Sequence, residues 1–366
     1  MNVKTMRAVV ALIAAALFLS TIASAAPEVS AHSAILVDAA SGQVLYEKDA
    51  DQKSLIASTT KIMTGLLVAQ QGNLERRVMV PAQAVGVEGS SLYLKQGERL
   101  TVKELLYGLM LHSGNDAAVA LAIVTAGSVE KFVAQMNEKA EDLGLTATHF
   151  ANPNGLDDDE NYATARDLAA LARTAMENET FREVVSTKSI KIGQRSFSNH
   201  NKLLRQYEGA MGVKTGFTKK AGRLLVSAAE RNGRRLVAVT VNAPNDWRDH
   251  TRMLDYGYSL LTERTMCEAG ETLAAVAVMG GEIQAVRCET QADLSYPMLE
   301  DEEFELRVCV PRFVFAPVCA GQLAGTVQLC IGGKAVAETP LYWAQDVEIA
   351  REMEKPSFWQ RLIGRN

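Results

Sequence analysis

Strand-like runs stand at both ends of the stretch from Ser33 to Asn242, and helix-like runs fill its middle. That order admits few folds. Ser33–Asp38 and Gln43–Glu47 are short β-rich runs joined by Ala39–Gly42, which has turn chemistry, so they read as a hairpin. Thr59–Gln71 is apolar over most of its circumference and free of proline, the pattern of a buried helix. From Val102 to Thr125 two apolar stretches flank Ser113-Gly114-Asn115, predicting two helices around a tight turn with Asp116 early in the second. Thr164–Glu179 is a further helix, with Thr164 as its cap. Strand signals return at Met211–Thr215, Arg223–Ala229 and Leu236–Asn242, the last two joined at Asn232-Gly233, and Asp246–Thr262 closes the run as a helix. The expected fold class is therefore α/β in the α+β sense, an antiparallel sheet covered by helices with a helical insert. After about residue 266 short Val, Ala, Leu and Thr runs alternate with Gly and Pro turns as far as Trp343, which predicts a small β-rich domain over 266–345.

A length of 366 residues fits two or three domains. Apolar residues at 48% and charged residues at 22% exclude a disordered chain, a fibre and a multispanning membrane protein. With 38 Lys+Arg against 43 Asp+Glu and no basic block, the chain has no electrostatic footprint for nucleic acid.

The leading 26 residues read as a secretory signal. Lys4 and Arg7 give the positive start, and Ala8–Leu19 is an uncharged run of 12 residues, well short of the ~20 needed to span a bilayer. Ala23-Ser24-Ala25 is a small-x-small cleavage site. The competing reading is an uncleaved anchor, and both place residue 27 onward outside the cytoplasm. The five cysteines all lie between Cys267 and Cys330; an odd number leaves at least one outside any intrachain pairing.

Three short motifs carry chemistry. Ser58-Thr59-Thr60-Lys61 opens the first buried helix, and residues three apart share a helical face. A serine hydroxyl is a weak nucleophile until a base takes its proton. Lysine is that base only when neutral, which requires desolvation or a neighbouring cation. The backbone N–H groups of a helix start suit a developing oxyanion. Alone, the spacing is also what a capping serine and a surface lysine would show. Ser113-Gly114-Asn115 is equally an ordinary turn. Lys214-Thr215-Gly216 is equally an edge strand bearing lysine, although Thr and Lys together suit a carboxylate and Gly admits a close backbone.

Their order and spacing, 55 residues from Ser58 to Ser113 and 101 more to Lys214, change the weighing. Here the sequence resembles the penicillin-binding protein and serine β-lactamase superfamily, whose S-x-x-K, S-D-N and K-T-G set these match. It is most similar to low-molecular-mass penicillin-binding proteins that act as D-alanyl-D-alanine carboxypeptidases. Gly89–Leu92, Leu111–Ala117, Thr148–Phe150, Asn154-Gly155-Leu156, Ala165–Leu168 and Val213–Gly216 also look like that family's blocks. Two departures are Phe217 after the K-T-G, where some members have His, and His200 in Asn199-His200-Asn201, where some have Arg.

The resemblance implies a reaction. Ser58 attacks the carbonyl between two D-alanines of a peptidoglycan stem peptide and Lys61 takes its proton. Ser113, with Lys214, passes a proton to the departing D-alanine. Backbone N–H groups of Ser58 and Phe217 form the oxyanion hole, Asn115 holds the substrate amide, and Lys214, Thr215 and Gly216 hold the terminal carboxylate end. An arginine often helps there, and Arg248 or Arg252 is the candidate. Water hydrolyses the acyl-enzyme, and penicillins trap Ser58. No cofactor or metal is implied, and the histidines are expected to be structural. Two rivals remain. A class A β-lactamase needs a Glu-x-x-Leu-Asn loop, and no such string occurs. A silent peptidoglycan-binding protein would have lost Ser58, Lys61 or Lys214. Finally, family members commonly end in an amphipathic helix lying on the outer face of the cytoplasmic membrane. Asp346–Asn366 is the candidate, with Ile349, Met353, Phe358, Trp359, Leu362 and Ile363 apolar and Arg351, Lys355, Arg361 and Arg365 basic, interrupted at Pro356.

Overall fold

A computed structural model describes residues 25–350. The leader to residue 24 and the tail from residue 351 lie outside the described residues. The chain divides into two compact units. The first holds most of the chain up to Leu260; the second holds Leu261 onward with the short segments Ala40–Gly42 and Arg231–Arg235.

The first unit begins with strands β1 (Ser33–Asp38) and β2 (Val44–Lys48). Six helices of eight residues or more follow: α1 (Lys61–Gln71), α2 (Val102–Leu111), α3 (Asn115–Ala126), α4 (Val129–Asp142), α5 (Ala165–Glu177) and α6 (Glu179–Ser186). Strands β3 (Ala210–Thr218), β4 (Gly222–Arg231) and β5 (Arg234–Val241) and helix α7 (Asp246–Ser259) complete it. The sheet order is β2-β1-β5-β4-β3, so this sheet's first strand in sequence pairs with its last, and β3 is an edge. The β1–β5 pairing is antiparallel, Ser33 opposite Val241 and Asp38 opposite Leu236.

Every residue of β1 is buried, because both faces of the sheet are covered. Ile35 and Val37 join the core built on α1 to α6, while Ala34 and Leu36 face the other way and pack with Met253 and Leu254 of α7. The sequence pattern accounts for the helix ends. Thr101 and Glu104 form a reciprocal capping box at α2, and Thr164 accepts from the Asp167 N–H at α5, as its cap position predicts. Asp167 also reaches across to the Ala147 N–H and Thr148 hydroxyl, tying α5 to a neighbouring loop. Helices α4 and α6 were not evident from the sequence; both are strongly amphipathic and capped by Ser128 and Asn178.

The second unit is β-rich. It comprises β6 (Thr262–Cys267), β7 (Thr272–Met279), β8 (Ala285–Thr290), β9 (Leu294–Met298), β10 (Glu305–Cys309), β11 (Phe313–Phe315), β12 (Leu323–Ile331) and β13 (Lys334–Trp343). Six strands run in the order β10-β12-β13-β8-β7-β11, and β6 pairs with β9. Its own core includes Val276, Val286, Val327, Leu329 and Trp343. All five cysteines are here and none is bridged; Cys267, Cys288 and Cys330 are buried.

One expectation fails at the C-terminal end. Asp346–Ala350 is extended rather than helical, with Val347 bridged to Val318 and Ile349 to Gly281. Val347 and Ile349 alternate with polar neighbours at period two, which suits a strand and not a helix. Met353 to Asn366 and Arg351 lie outside the described residues.

Candidate active site

The Ser58 turn is a single 3-10 segment, Ala57–Thr60, leading directly into α1. Ala57 sits at φ 44°, a conformation that an L-residue adopts only when its surroundings hold it there. Two glycines make the fit around this turn. Gly155, at φ 81°, lies so close to the Ala57 carbonyl that any Cβ would collide with backbone. Gly216 on β3 would place a Cβ 3.3 Å from the Thr59 nitrogen, a tight contact, so glycine eases the close approach of the edge strand to the Ser58 turn. Gly155→Ala is therefore expected to destabilise by more than ~1 kcal/mol, which thermal unfolding checks.

Lys61 is fully buried at the first turn of α1. Its Nζ donates to Asn115 Oδ1 at 2.7 Å and to the Asn154 carbonyl, and stands 2.9 Å from Ser58 Oγ. Burial first, and then the cation of Lys214, hold Lys61 well below the usual lysine range, against an opposing pull from Asp116. A neutral amine has two hydrogens and one lone pair. The two carbonyl oxygens accept both hydrogens, which leaves the lone pair for the Ser58 hydroxyl. Asn115 is held in this sense because its Nδ2 donates to the Glu88 carbonyl at 2.6 Å.

Ser113, at φ 63°, projects from the turn between α2 and α3, and Lys214 Nζ reaches its Oγ at 3.1 Å and the Thr215 carbonyl at 2.8 Å. Burial brings Lys214 down to about 7. Asp116 does not face substrate. Its carboxylate collects the Leu92 and Leu94 N–H groups and the Ser91 hydroxyl, which pins the 88–94 loop to the start of α3.

A cleft of about 610 Å³ is lined by Ser58, Ser90, Ser113, Thr215, Gly216 and Phe217 on these elements, and by Asn199, His200, Lys202, Arg223, Asp246 and Trp247. The structure thus gathers Ser58, Lys61, Ser113, Asn115, Lys214, Thr215, Gly216 and Phe217 around one place. It does not bring Arg248 there. Arg248 is exposed on α7 and is not among the cleft residues; Arg252 is exposed and donates to the Glu28 carbonyl at 3.2 Å. Asp246, the first residue of α7, lines the cleft.

The arginine in the cleft is Arg223 of β4, opposite Phe217 in register. Its guanidinium is 3.1 Å from the Asp246 carboxylate, with side-chain exposures of 46% and 4%. Burial raises Asp246 and Arg223 opposes that shift. The sequence held one clue: Arg223 lies six residues beyond Phe217 across a hairpin, which returns it to the same stretch of β3. His200, expected to be structural, also lines the cleft and stacks obliquely 5.3 Å from His112. Burial, Lys214 and His112 all lower it. Among the described residues no group of His, Cys, Asp and Glu is placed to hold a metal ion.

The family profile described as D-alanyl-D-alanine carboxypeptidase matches residues 20–245, and that of the penicillin-binding protein 5 C-terminal domain matches residues 262–349. Among curated proteins, D-alanyl-D-alanine carboxypeptidase DacF of Bacillus subtilis is 32% identical over 91% of this chain and 89% of its own length. D-alanyl-D-alanine carboxypeptidase DacC of Escherichia coli is 32% identical over 88% of this chain and 86% of its own. Among solved structures, penicillin-binding protein 5 from Haemophilus influenzae superposes with a TM-score of 0.63 at 29% identity, covering 88% of this chain and 98% of that one. These matches define a class first: serine peptidases built on the penicillin-binding fold. Within that class, the chain belongs to the D-alanyl-D-alanine carboxypeptidase family, and it carries the β-rich C-terminal domain of penicillin-binding protein 5.

Proposed function

We propose that the protein removes the terminal D-alanine from peptidoglycan stem pentapeptides through an acyl-enzyme on Ser58, and that penicillins acylate the same serine. The observation that carries this reading is the buried Lys61 amine, its hydrogens committed to two carbonyls and its third contact on Ser58 Oγ. Ser58 Oγ adds to the carbonyl carbon between the two D-alanines while its proton passes to Lys61. The oxyanion meets the Ser58 and Phe217 N–H groups, where one donor is worth ~10²–10³ in rate. The C–N bond then breaks, and the departing amine takes a proton through Ser113, which Lys214 supports from behind. Water cleaves the ester and frees the shortened stem peptide. Incubation with a stem pentapeptide should release one D-alanine per peptide, seen by mass spectrometry; an unchanged pentapeptide alongside efficient penicillin labelling would refute the carboxypeptidase reading. Rapid turnover of penicillin would favour a β-lactamase.

Arg223, held by Asp246, is the cation we assign to the substrate's terminal carboxylate, together with Lys214 and Thr215. A charge-assisted hydrogen bond lost here is worth ~1.5–3 kcal/mol. Arg223→Gln should therefore raise KM for a peptide ending in free D-alanine ~10–100-fold, while acylation by the same peptide capped as an amide changes little. Equal losses on both peptides would remove Arg223 from this role, and Arg248→Gln serves as the contrasting variant with no expected effect.

The leader of residues 1–26 directs export in this reading, residues 27–265 do the chemistry and residues 266–345 form the β-rich domain. The tail within 346–366 gives a weak, salt-sensitive contact with the outer face of the cytoplasmic membrane, at ~1 kcal/mol per basic residue near an anionic surface.

A further inference from the structure

One face of the β-rich unit is apolar where a sheet face open to water is expected to be polar. Residues opposite one another in neighbouring strands share a face, and Ala277 lies opposite Phe313 and Met279 opposite Phe315 in the parallel β7–β11 pair. On the other side of β7, Ala277 lies opposite Ala285 and Ala275 opposite Arg287. All of these residues are exposed, whereas Val276, Val278 and Val286 between them are buried in the core on the other face. Phe313 is 51% exposed, Phe315 68% and Met279 51%, and the two phenyl rings meet edge-to-face at 5.5 Å. Large apolar side chains grouped in this way, rather than scattered, mark a contact surface.

The chain itself indicates the partner. The Ala350 N–H bonds the Gly280 carbonyl and Ile349, 58% exposed, is bridged to Gly281, so the tail departs one residue from Met279. That tail, residues 351–366, combines Phe358, Trp359, Leu362 and Ile363 with four basic residues and two acidic ones. On the patch itself Arg287 shares the apolar face and Arg312 precedes Phe313, both exposed, while Glu282 and Glu348 stand at the turn where the tail departs. An apolar centre with flanking arginines, continuous with a basic amphipathic segment, is the chemistry of an anionic lipid surface.

We propose that the outer face of β7, β8 and β11, centred on Met279, Phe313 and Phe315, is a second lipid-contact surface that inserts beside the tail. It rests on the reading that the tail meets the membrane, and it gives the folded unit a part in that contact. The full chain from residue 27 is tested by sedimentation with phosphatidylglycerol–phosphatidylcholine vesicles. Met279→Ser/Phe313→Ser/Phe315→Ser, with the tail intact, should lower partitioning at least tenfold. Phe358→Ser/Trp359→Ser/Leu362→Ser, with the patch intact, should lower it without abolishing it. In a separate variant, Phe315→Trp on a Trp359→Phe background, the indole emission added over Trp359→Phe alone should be quenched by brominated acyl chains, which needs no loss of fold to be read. Unchanged partitioning of the patch variant and no quenching would overturn the proposal and leave the tail reading standing. Unchanged partitioning of the tail variant would overturn the tail reading and, with it, the pairing of this face with the tail. If the patch variant instead changes only the oligomeric state in solution, the face joins two copies of this chain and the proposal fails. It fails too if the wild-type Phe315→Trp emission is already buried without vesicles and is exposed by the tail substitutions, since the tail then covers the face.

Discussion

Ser58→Ala is expected to abolish covalent labelling by a fluorescent penicillin and to lower carboxypeptidase turnover about 10⁶-fold, the scale on which removal of a serine nucleophile acts. The protein should remain folded. Ser58 is half-buried, its side chain meets Lys61, and the neighbouring turn is held by the Thr59 hydroxyl on the Ile56 carbonyl and by the approach of Gly155 and Gly216. Thermal unfolding should therefore shift by no more than ~1 kcal/mol equivalent. Mass spectrometry of the labelled wild type should place the adduct on Ser58; an adduct on Ser113 would reverse the assignment of nucleophile and relay.

The second large effect concerns Lys61. Arginine holds its proton throughout the accessible pH range and cannot serve as a base, so Lys61→Arg should lower acylation at least ~10²–10⁴-fold. In the wild type the ammonium form is disfavoured by burial and by Lys214, which favours the neutral base. As pH falls the proton returns and acylation declines; the acid limb therefore reports this lysine pair rather than either residue alone. Lys214 is itself brought to about 7. Replacing Lys214 with Gln removes the repelling cation, so Lys61 keeps its proton to higher pH and the acid limb should move upward. Stopped-flow acylation by a chromogenic β-lactam across pH measures it. A limb that stays put would exclude Lys214 as a cause of the Lys61 shift, and full activity of Lys61→Arg would exclude Lys61 as the base.

The sequence exposed the parts of this site in which residue type and local spacing determine geometry. Spacing puts Ser58 and Lys61 on one helical face, and strand alternation puts Lys214 and Gly216 on the same side, but each motif alone also fits an ordinary cap or edge strand; the resemblance to the penicillin-binding family is what gave them roles. Lys61's third partner was beyond such reasoning, since the Asn154 carbonyl is backbone and any residue could supply it; the visible trace was Gly155, whose left-handed conformation brings that loop against Ala57. The arginine is a related case. Arg248 and Arg252 lie near the start of α7, where Asp246 and Trp247 line the cleft. Arg223 reaches the cleft through strand register, a long-range property. The sheet itself was legible from its hairpins, whereas α4 and α6, short of apolar residues outside one stripe, were passed over. At the C-terminal end, the resemblance implied a helix from Asp346, and the two-residue alternation of Val347 and Ile349 is the better guide to Asp346–Ala350.

The position of β1 has a consequence for how the molecule is assembled. Its pairing residues on β5 lie roughly 200 positions later in the chain, a long-range closure of the kind that slows folding. A chain emerging N-terminus first presents Ser33–Asp38 as an apolar strand whose main partner does not yet exist, and the β1–β2 hairpin alone is too small to be stable in water. Until Val241 has emerged, the sheet centre is an open edge liable to wrong pairing. The Ser58 turn follows β1 closely in sequence, whereas Lys214 lies on the far edge strand, which docks through β4 and β5. Competence to bind penicillin should thus arise in one late step, when the first strand of the sheet is finally enclosed by its last.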